Sequence, residues 1–535
     1  MALLCFMFYF IILLYDMKLF ATSIHMLQQN LYNENNRYFK WVWKNKKDAF
    51  LNLNLYGVLF SIFMFFSNNE LLDAFFIVIL MSVYVVSYFT DKEKRKLDQN
   101  KKPLVVTKRV KRLILTIGIL FFIPILVYML NNDLCNISIL ALTIMTSFHF
   151  VVVGICNIIN YPIERLIYHH FEKMAKDKLK SMPHLKVIGI TGSYGKTSSK
   201  NILNDILKIK YNTLATPKSL NTFNGLMITI NNKLSKFDDI FIAEMGAYVK
   251  GEIHGLCELV QPKYGIITSI GTAHLETFGS EKNIVEGKME LVEYLPSDGI
   301  AVLNKDDPKQ RNYMIKNDCR VLWIGIDEKD TDVYATNIEC SGKGTKFDVY
   351  FKDDKRAHSF ETKLLGKHNV YNILSALALG HEFGILIRDL QKAVKSVKPV
   401  EHRLEIKRIG SFYQIDDAYN SNPVGAKSAL DVLDMMNGEK VVVTPGMVEL
   451  GEKEDEYNEA FGEQIASVAD RVILIGEKKT KPIYKGLTKK KFPKDKIIVL
   501  NDVTASYPLL NEWANDSKEL YALFENDLPD TYNEK

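Results

Sequence analysis

The chain has 535 residues, 47% hydrophobic and 24% charged, with a net charge of +5 and six cysteines. That length exceeds what one hydrophobic core organises and implies several domains. The modest charge argues against nucleic-acid binding, and cysteines at 5, 135, 156, 257, 319 and 340, without C-x-x-C spacing, read as free thiols rather than a disulfide framework or thiolate metal centre.

Residues 1–160 are dominated by apolar runs, at 3–21, 50–66, 71–89, 113–130 and 134–159, each near the ~20 residues that cross a bilayer. The first is interrupted by Asp16 and Lys18, but no Lys or Arg precedes it and no small-residue cleavage pattern follows, so it reads as a span rather than a secretory signal. The linker between the first two runs carries Arg37, Lys40, Lys44, Lys46 and Lys47, and ten Lys or Arg residues fall between Lys92 and Arg112, whereas 67–70 and 131–133 carry none. The positive-inside rule places both basic linkers, and everything after the fifth run, in the cytoplasm of a multi-pass membrane protein. Tyr32, Tyr38, Phe39, Trp41 and Trp43 interleave with Arg37 and Lys40, which suits the headgroup level, as an interfacial anchor or as a lipid-phosphate contact. His149 is costly in hydrocarbon and reads either as functional or as a helix-packing hydrogen bond. Residues 161–183 have helical spacing with lysines towards the end, a juxtamembrane helix.

An apolar strand at 186–191 then runs into Gly189-Ile-Thr-Gly-Ser-Tyr-Gly-Lys-Thr-Ser198 and a helix to about Leu207. Gly192 and Gly195 let backbone N–H groups converge on phosphate oxygens, Lys196 adds a point charge and Thr197 offers a hydroxyl to Mg²⁺. Ile190 stands where a longer phosphate loop has glycine, so this is the short form. Gly192, Ser193, Tyr194, Gly195, Lys196, Thr197 and Ser198 are the candidate ATP loop. A strand from Ile240 ends in Glu244, a carboxylate able to hold Mg²⁺ opposite that loop. A strand at 265–269, a turn at 271–276 with His274 and a helix at 281–293 with Lys288 follow. Beyond residue 400, strands at 411–415, 440–444, 471–475, 496–500 and 519–524 alternate with helices such as 423–436 and 457–469, a small doubly wound sheet.

This series, with Gly366-Lys-His-Asn-Val-Tyr-Asn372, Glu401-His-Arg-Leu-Glu405 and Asp416-Asp-Ala-Tyr-Asn-Ser-Asn-Pro423, resembles the Mur ligase family, its MurF branch most closely, from residue 184 to about 460. The apolar runs give an α-helical transmembrane domain (1–160) and a juxtamembrane helix (161–183) ahead of the α/β part that the resemblance implies: a central P-loop ATPase domain (184–400) and a C-terminal Rossmann-like domain (401–535) that closes over the nucleotide. It implies ATP-dependent amide formation, in which a substrate carboxylate takes the γ-phosphate and an amine displaces it. By resemblance Lys196, Lys288, His274 and Arg403 serve catalysis. Thr197 and Glu244 hold one Mg²⁺, His274 contributes to a second, and Lys288 is converted by CO₂ to a metal-directed carbamate. Asn372 meets adenine, Arg403 the phosphates and Asp416 the ribose.

The chain departs from the family at three places. Membrane runs replace the amino-terminal domain that grips a UDP-sugar peptide, Gly446 stands where aspartate is common, and Leu523-Phe-Glu-Asn-Asp-Leu-Pro529 replaces a Lys-Gly-Ser pattern. The expected partners are a cell-envelope precursor, UDP-linked or lipid-linked, an amino acid or dipeptide, and membrane lipid. A poly-γ-glutamate or folate-type ligase and a non-catalytic ATP-binding scaffold remain as alternatives. A transporter with a fused ATPase lacks support, since no Leu-Ser-Gly-Gly-Gln sequence occurs.

Overall fold

The computed structural model describes residues 1–30, 32, 36–50, 53–67, 69–90, 103–218, 220–341, 343–399, 404–417, 423–448, 453–516 and 519–526. They form two compact units, Met1–His170 and Phe171–Lys535.

The first unit is helical: α1 (Ala2–Gln29), α2 (Arg37–Lys44), α3 (Lys46–Phe50), α4 (Asn54–Phe65), α5 (Glu70–Thr90), α6 (Lys108–Leu130), α7 (Cys135–Ser147) and α8 (His149–Lys180). By length and composition α1, α5, α6 and α8 are long and apolar enough to cross a membrane. Side chains of buried polar residues join helices distant in sequence: Tyr9 donates to Ser138 Oγ at 3.0 Å, Thr146 to Asp16 Oδ2 at 3.2 Å and Tyr38 to the Phe150 carbonyl at 2.8 Å.

Two apolar runs fold differently from the sequence expectation. The run at 50–66 gives a helix starting only at Asn54, and the run at 134–159 breaks at Phe148 into α7 and α8. The break lies where its polar neighbours find partners on other helices: Ser147 donates to the Asn54 carbonyl at 2.8 Å, and His149 Nδ1 lies 2.6 Å from Ser23 Oγ. His149 thus makes a packing hydrogen bond to α1. The segment expected as a separate juxtamembrane helix continues α8 through Pro162 to Lys180.

The second unit contains two sheets. The first has β1 (Lys186–Thr191), β2 (Thr213–Ala215), β3 (Ile240–Glu244), β4 (Tyr264–Ile267), β5 (Ile300–Asn304), β6 (Arg320–Gly325), β7 (Val333–Ser341), β8 (Gly344–Phe351) and β9 (Asp354–Thr362), in the order β2-β3-β1-β4-β5-β6-β7-β8-β9. Strands β2 to β7 pair in parallel and β7 to β9 antiparallel. All residues of β3 and β4 are buried, as both-face coverage by helices requires, while β8 alternates more. The covering helices include α9 (Lys196–Leu207), α10 (Phe223–Asn232), α11 (Glu252–Val260), α12 (Leu275–Phe278), α13 (Glu281–Tyr294), α14 (Pro308–Arg311), α15 (Lys367–Glu382) and α16 (Ile387–Ser396). Because β1 lies between β3 and β4, its carboxyl end is a topological switch point, where open α/β sheets bind ligands.

The second sheet has β10 (Glu405–Ile409), β11 (Phe412–Asp417), β12 (Glu439–Thr444), β13 (Arg471–Ile475), β14 (Ile497–Leu500) and β15 (Leu520–Glu525), in the order β10-β11-β15-β12-β13-β14, with only β10 antiparallel. Leu430, Phe461 and Leu487, from α17 (Pro423–Asp434), α18 (Glu454–Ile465) and α19 (Lys481–Lys489), pack on one face. Leu510 of α20 (Ser506–Asp516) packs on the other.

Candidate active site

A cavity of about 1310 Å³ opens at the switch point and extends to α17 and β11 of the second sheet. Its floor is the loop between β1 and α9. Gly192 has φ +152°, and a Cβ there would stand 2.0 Å from Thr268 Oγ1, so only glycine lets the loop lie this close to the end of β4. Gly195, φ +80°, caps α9. The Ser193 N–H donates to the Ser269 carbonyl at 2.7 Å and Thr268 Oγ1 to the Tyr194 carbonyl at 2.6 Å, while the Tyr194 ring covers Gly271. The loop is thereby held in shape by β4 with the α9 N-terminus facing the cavity, the arrangement that binds phosphate. Lys196 Nζ donates to the carbonyls of Gly192 (2.8 Å) and Ser193 (3.2 Å) within its own loop.

Glu244 ends β3 directly beside this loop, since Ile190 pairs with Glu244 in register. Its Oε1 accepts from Thr197 Oγ1 at 3.1 Å and Asn221 Nδ2 at 3.0 Å, and its Oε2 from Lys200 Nζ at 3.0 Å. Sequence reasoning misses Lys200 and Asn221. The spacing Lys196 to Lys200, one turn of helix on one face, is the signal that points to the former.

His274 is an exposed αL residue, φ +61°, with its ring 4.6 Å from that of Tyr248. Partial burial, then the Lys288 and Lys196 cations, lower its pKa, which favours the neutral, metal-ligating imidazole. Lys288, 1% exposed on α13, donates to the Ala247 carbonyl at 3.2 Å with its ammonium 5.2 Å from the Phe278 ring centre. Burial first, then the Lys196 charge, push its pKa down to about 8 against the opposing pull of Glu252 and Glu290. Lys196, His274 and Lys288 are thus brought within electrostatic reach of one another at one end of the sheet. Asn372, 7% exposed on α15, lines the cavity with Oδ1 3.4 Å from where a Cβ on Gly195 would sit.

Of the sequence candidates, Ser193, Tyr194, Gly195, Lys196, Thr197, Ser198, Glu244, His274 and Asn372 line the cavity. Gly192, packed on Thr268, and Lys288, buried on α13, are not in the lining. Asp416 is 6% exposed and outside the cavity lining, which takes in Asp417 instead. Strand alternation is the reason. Residue 416 shares the face of Phe412, packed towards α20, and residue 417 that of Ile415, packed towards α17. Arg403 lies outside the described residues.

Among the described residues no group of three His, Cys, Asp or Glu side chains gathers as a ready metal cluster. The Thr197 hydroxyl and Glu244 carboxylate, hard oxygen donors at the phosphate loop, fit one Mg²⁺. His274 and Lys288 fit a second only once the Lys288 ammonium, which repels a cation, has lost its charge.

Two family models match the chain: the Mur ligase middle domain over residues 190–380 and the Mur ligase glutamate ligase domain over residues 402–517, together more than half of it. The UDP-N-acetylmuramoyl-tripeptide–D-alanyl-D-alanine ligase of Bacillus subtilis (strain 168) is 32% identical over 310 residues, covering 57% of this chain and 66% of the relative. The ligase of the same name from Escherichia coli (strain K12) is 32% identical, covering 55% and 65%. The chain therefore spans just under two thirds of the length of these relatives. A crystal structure of MurF from Acinetobacter baumannii superimposes with TM-score 0.58 at 26% identity, over 67% of this chain and 77% of that one. The MurF ligase of Thermotoga maritima in complex with ADP gives 0.56 at 28%, over 67% and 80%. With both ligase modules matched over more than half of its length, the chain belongs to the Mur ligase family.

Proposed function

We propose that the chain is an ATP-dependent, ADP-forming amide ligase that joins the amine of an amino acid or dipeptide to a carboxylate of a cell-envelope precursor. The observation that carries this is the Thr197–Glu244 contact beside Lys196, which sets hard oxygen donors and a cation around a preformed phosphate loop. Mg²⁺ held by Thr197 and Glu244 would neutralise charge on the β- and γ-phosphates. Lys196, released from its own loop carbonyls, adds a cation to the transferring phosphoryl oxygens. The acceptor carboxylate oxygen bonds the γ-phosphorus as the bond to ADP breaks; the amine nitrogen then bonds the acyl carbon, phosphate leaves, and the amine gives up a proton. Lys288 as a CO₂-derived carbamate would turn towards a second Mg²⁺ shared with His274. Asn372 is placed for the adenine, with Asp417 in the role expected of Asp416, and Arg403 is assigned to the phosphates.

The domain reading is a membrane domain over 1–160, a connecting helix over 161–183, an ATP-binding domain over 184–400 and a Rossmann-like closing domain over 401–535. The four apolar helices support a multi-pass position in the bacterial membrane with both ligase modules on the cytoplasmic side. That position favours a lipid-linked muramoyl peptide over the UDP-linked form in the relatives' names, because confinement to one surface raises the acceptor's effective concentration. The test is ADP release by the full-length protein in detergent with either form of acceptor. Preference for the lipid-linked form is expected, and a clear preference for the UDP form overturns the lipid part of the reading.

A further inference from the structure

Lys200 sits one turn beyond Lys196 on α9 and is 2% exposed, while Glu244 is 1% exposed. The Lys200 ammonium lies 3.0 Å from Glu244 Oε2 and donates to the Lys218 carbonyl at 2.6 Å. The Glu244 N–H donates to Thr216 Oγ1 at 3.1 Å. Glu244 is therefore gripped by α9 through Thr197 and Lys200, and by the segment 216–222 through Thr216 and Asn221. A buried ion pair contributes little net stability, since desolvation offsets the attraction, yet losing one partner strands a charge.

We propose that Lys200 is a positioning residue for the divalent-cation site: by holding Oε2 it fixes the orientation of the Glu244 carboxylate and turns Oε1 towards the Thr197 hydroxyl. This rests on Thr197 and Glu244 being the cation's donors, as in the function proposed above. The same ammonium holds the Lys218 carbonyl, so one side chain links Glu244 to the backbone two residues past Thr216. Two effects oppose each other when Lys200 is removed. The cation loses an ammonium that repels it, but the carboxylate loses the donor that aims it. The second wins, because a carboxylate oxygen turned out of the site no longer serves as a ligand.

The test is Mn²⁺ titration of the full-length protein in detergent, followed by the electron paramagnetic resonance signal of free Mn²⁺, for wild type, Lys200→Met, Glu244→Gln and the double variant. K200M is expected to weaken Mn²⁺ binding roughly 10–100-fold, the usual range for partners that orient metal ligands. Added to E244Q, it should change little further. Affinity unchanged within about twofold or tightened in K200M, or an equal loss in the E244Q background, overturns the proposal. If K200M alone fails to fold while K200M/E244Q folds, the stranded carboxylate is the cause, the ion-pair account is supported, and Lys200→Gln takes K200M's place in the titration with the same two outcomes. If the double variant also fails to fold, Lys200 is a packing residue and the proposal falls. Cation binding needs no turnover: a wild type that binds Mn²⁺ but releases no ADP overturns the ligase reading and leaves this one standing.

Discussion

The Thr197 hydroxyl and the Glu244 carboxylate, 47 residues apart in sequence, meet at 3.1 Å where α9 begins and β3 ends. Parallel pairing of β1 with β3 makes the meeting unavoidable, since it carries the phosphate loop and the carboxylate to the same edge of the sheet.

Lys196→Ala should cut acceptor-dependent ADP release by about 10²–10³-fold, the usual loss when one preorganised stabilising group is removed from a charged transition state. The fold should persist, because the loop is held independently of the Lys196 side chain, by the Ser269 carbonyl and the Thr268 hydroxyl. A coupled ADP assay beside a thermal melt reads both. A scaffold that merely binds ATP would show no such release in the wild type and would keep its cellular role in K196A.

Lys288 gives the reaction a pH and bicarbonate dependence of definite sign. Carbamate formation consumes the neutral amine, and with the pKa pushed down to about 8 the neutral fraction falls tenfold for each unit below that value. At a fixed bicarbonate concentration, turnover should rise with pH through about 8 and then level off, and in CO₂-stripped buffer that rise should be lost. Lys288→Arg, which cannot lose its charge, should abolish the bicarbonate response. A flat response in the wild type removes the carbamate from the mechanism.

The parts of this site that were legible in the sequence are those with a backbone reason to be conspicuous. Gly192 and Gly195 mark a strand-to-helix loop, and Glu244 ends an apolar strand. Which of Asp416 and Asp417 faces the cavity was not legible, because both are aspartates on one strand and only the register of Ile415 against α17 decides it. Lys200 was passed over, despite its one-turn spacing from Lys196, because a lysine on a helix reads as solvated until its partner, 44 residues away, is brought beside it. The apolar run at 134–159 looked continuous because its break depends on Ser147 and His149 finding Asn54 and Ser23 on other helices, which hydropathy alone does not register.

Asp306 braces the cavity wall and supplies a stability test separate from catalysis. Its carboxylate accepts the N–H groups of Ile326 (2.6 Å), Asp327 (3.1 Å) and Glu328 (2.7 Å) and the Tyr371 hydroxyl (2.8 Å). Partial burial would raise its pKa, but these donors outweigh burial and hold it below the usual carboxylate range. A depressed carboxylate pKa stabilises the fold above the ordinary carboxylate value and loses that contribution as pH falls through the folded value, so the loss is confined to acid below about pH 4. Asp306→Ala should cost about 1–3 kcal/mol at neutral pH by leaving donors unpaired. Urea denaturation at pH 7 and pH 3 measures both: the gap between wild type and D306A should narrow in acid, and an equal gap at both values defeats the assignment.

The first unit carries the prediction on which cellular position depends. Buried polar side chains such as Asp16, Ser23 and His149 bond between its helices, whereas large apolar residues such as Leu3, Phe6, Leu71, Phe89, Leu115 and Leu130 lie on its outside. Apolar outside with polar partners inside is costly in water and suits hydrocarbon, where an unmet polar group is penalised most. Expressed in cells, the full chain should stay with the membrane pellet after alkaline carbonate washing and enter solution only with detergent. Removal of residues 1–170 should release the ligase modules to the soluble fraction. Recovery of the full chain in the carbonate supernatant would defeat the multi-pass reading, and with it the argument that confinement to a surface favours a lipid-linked acceptor.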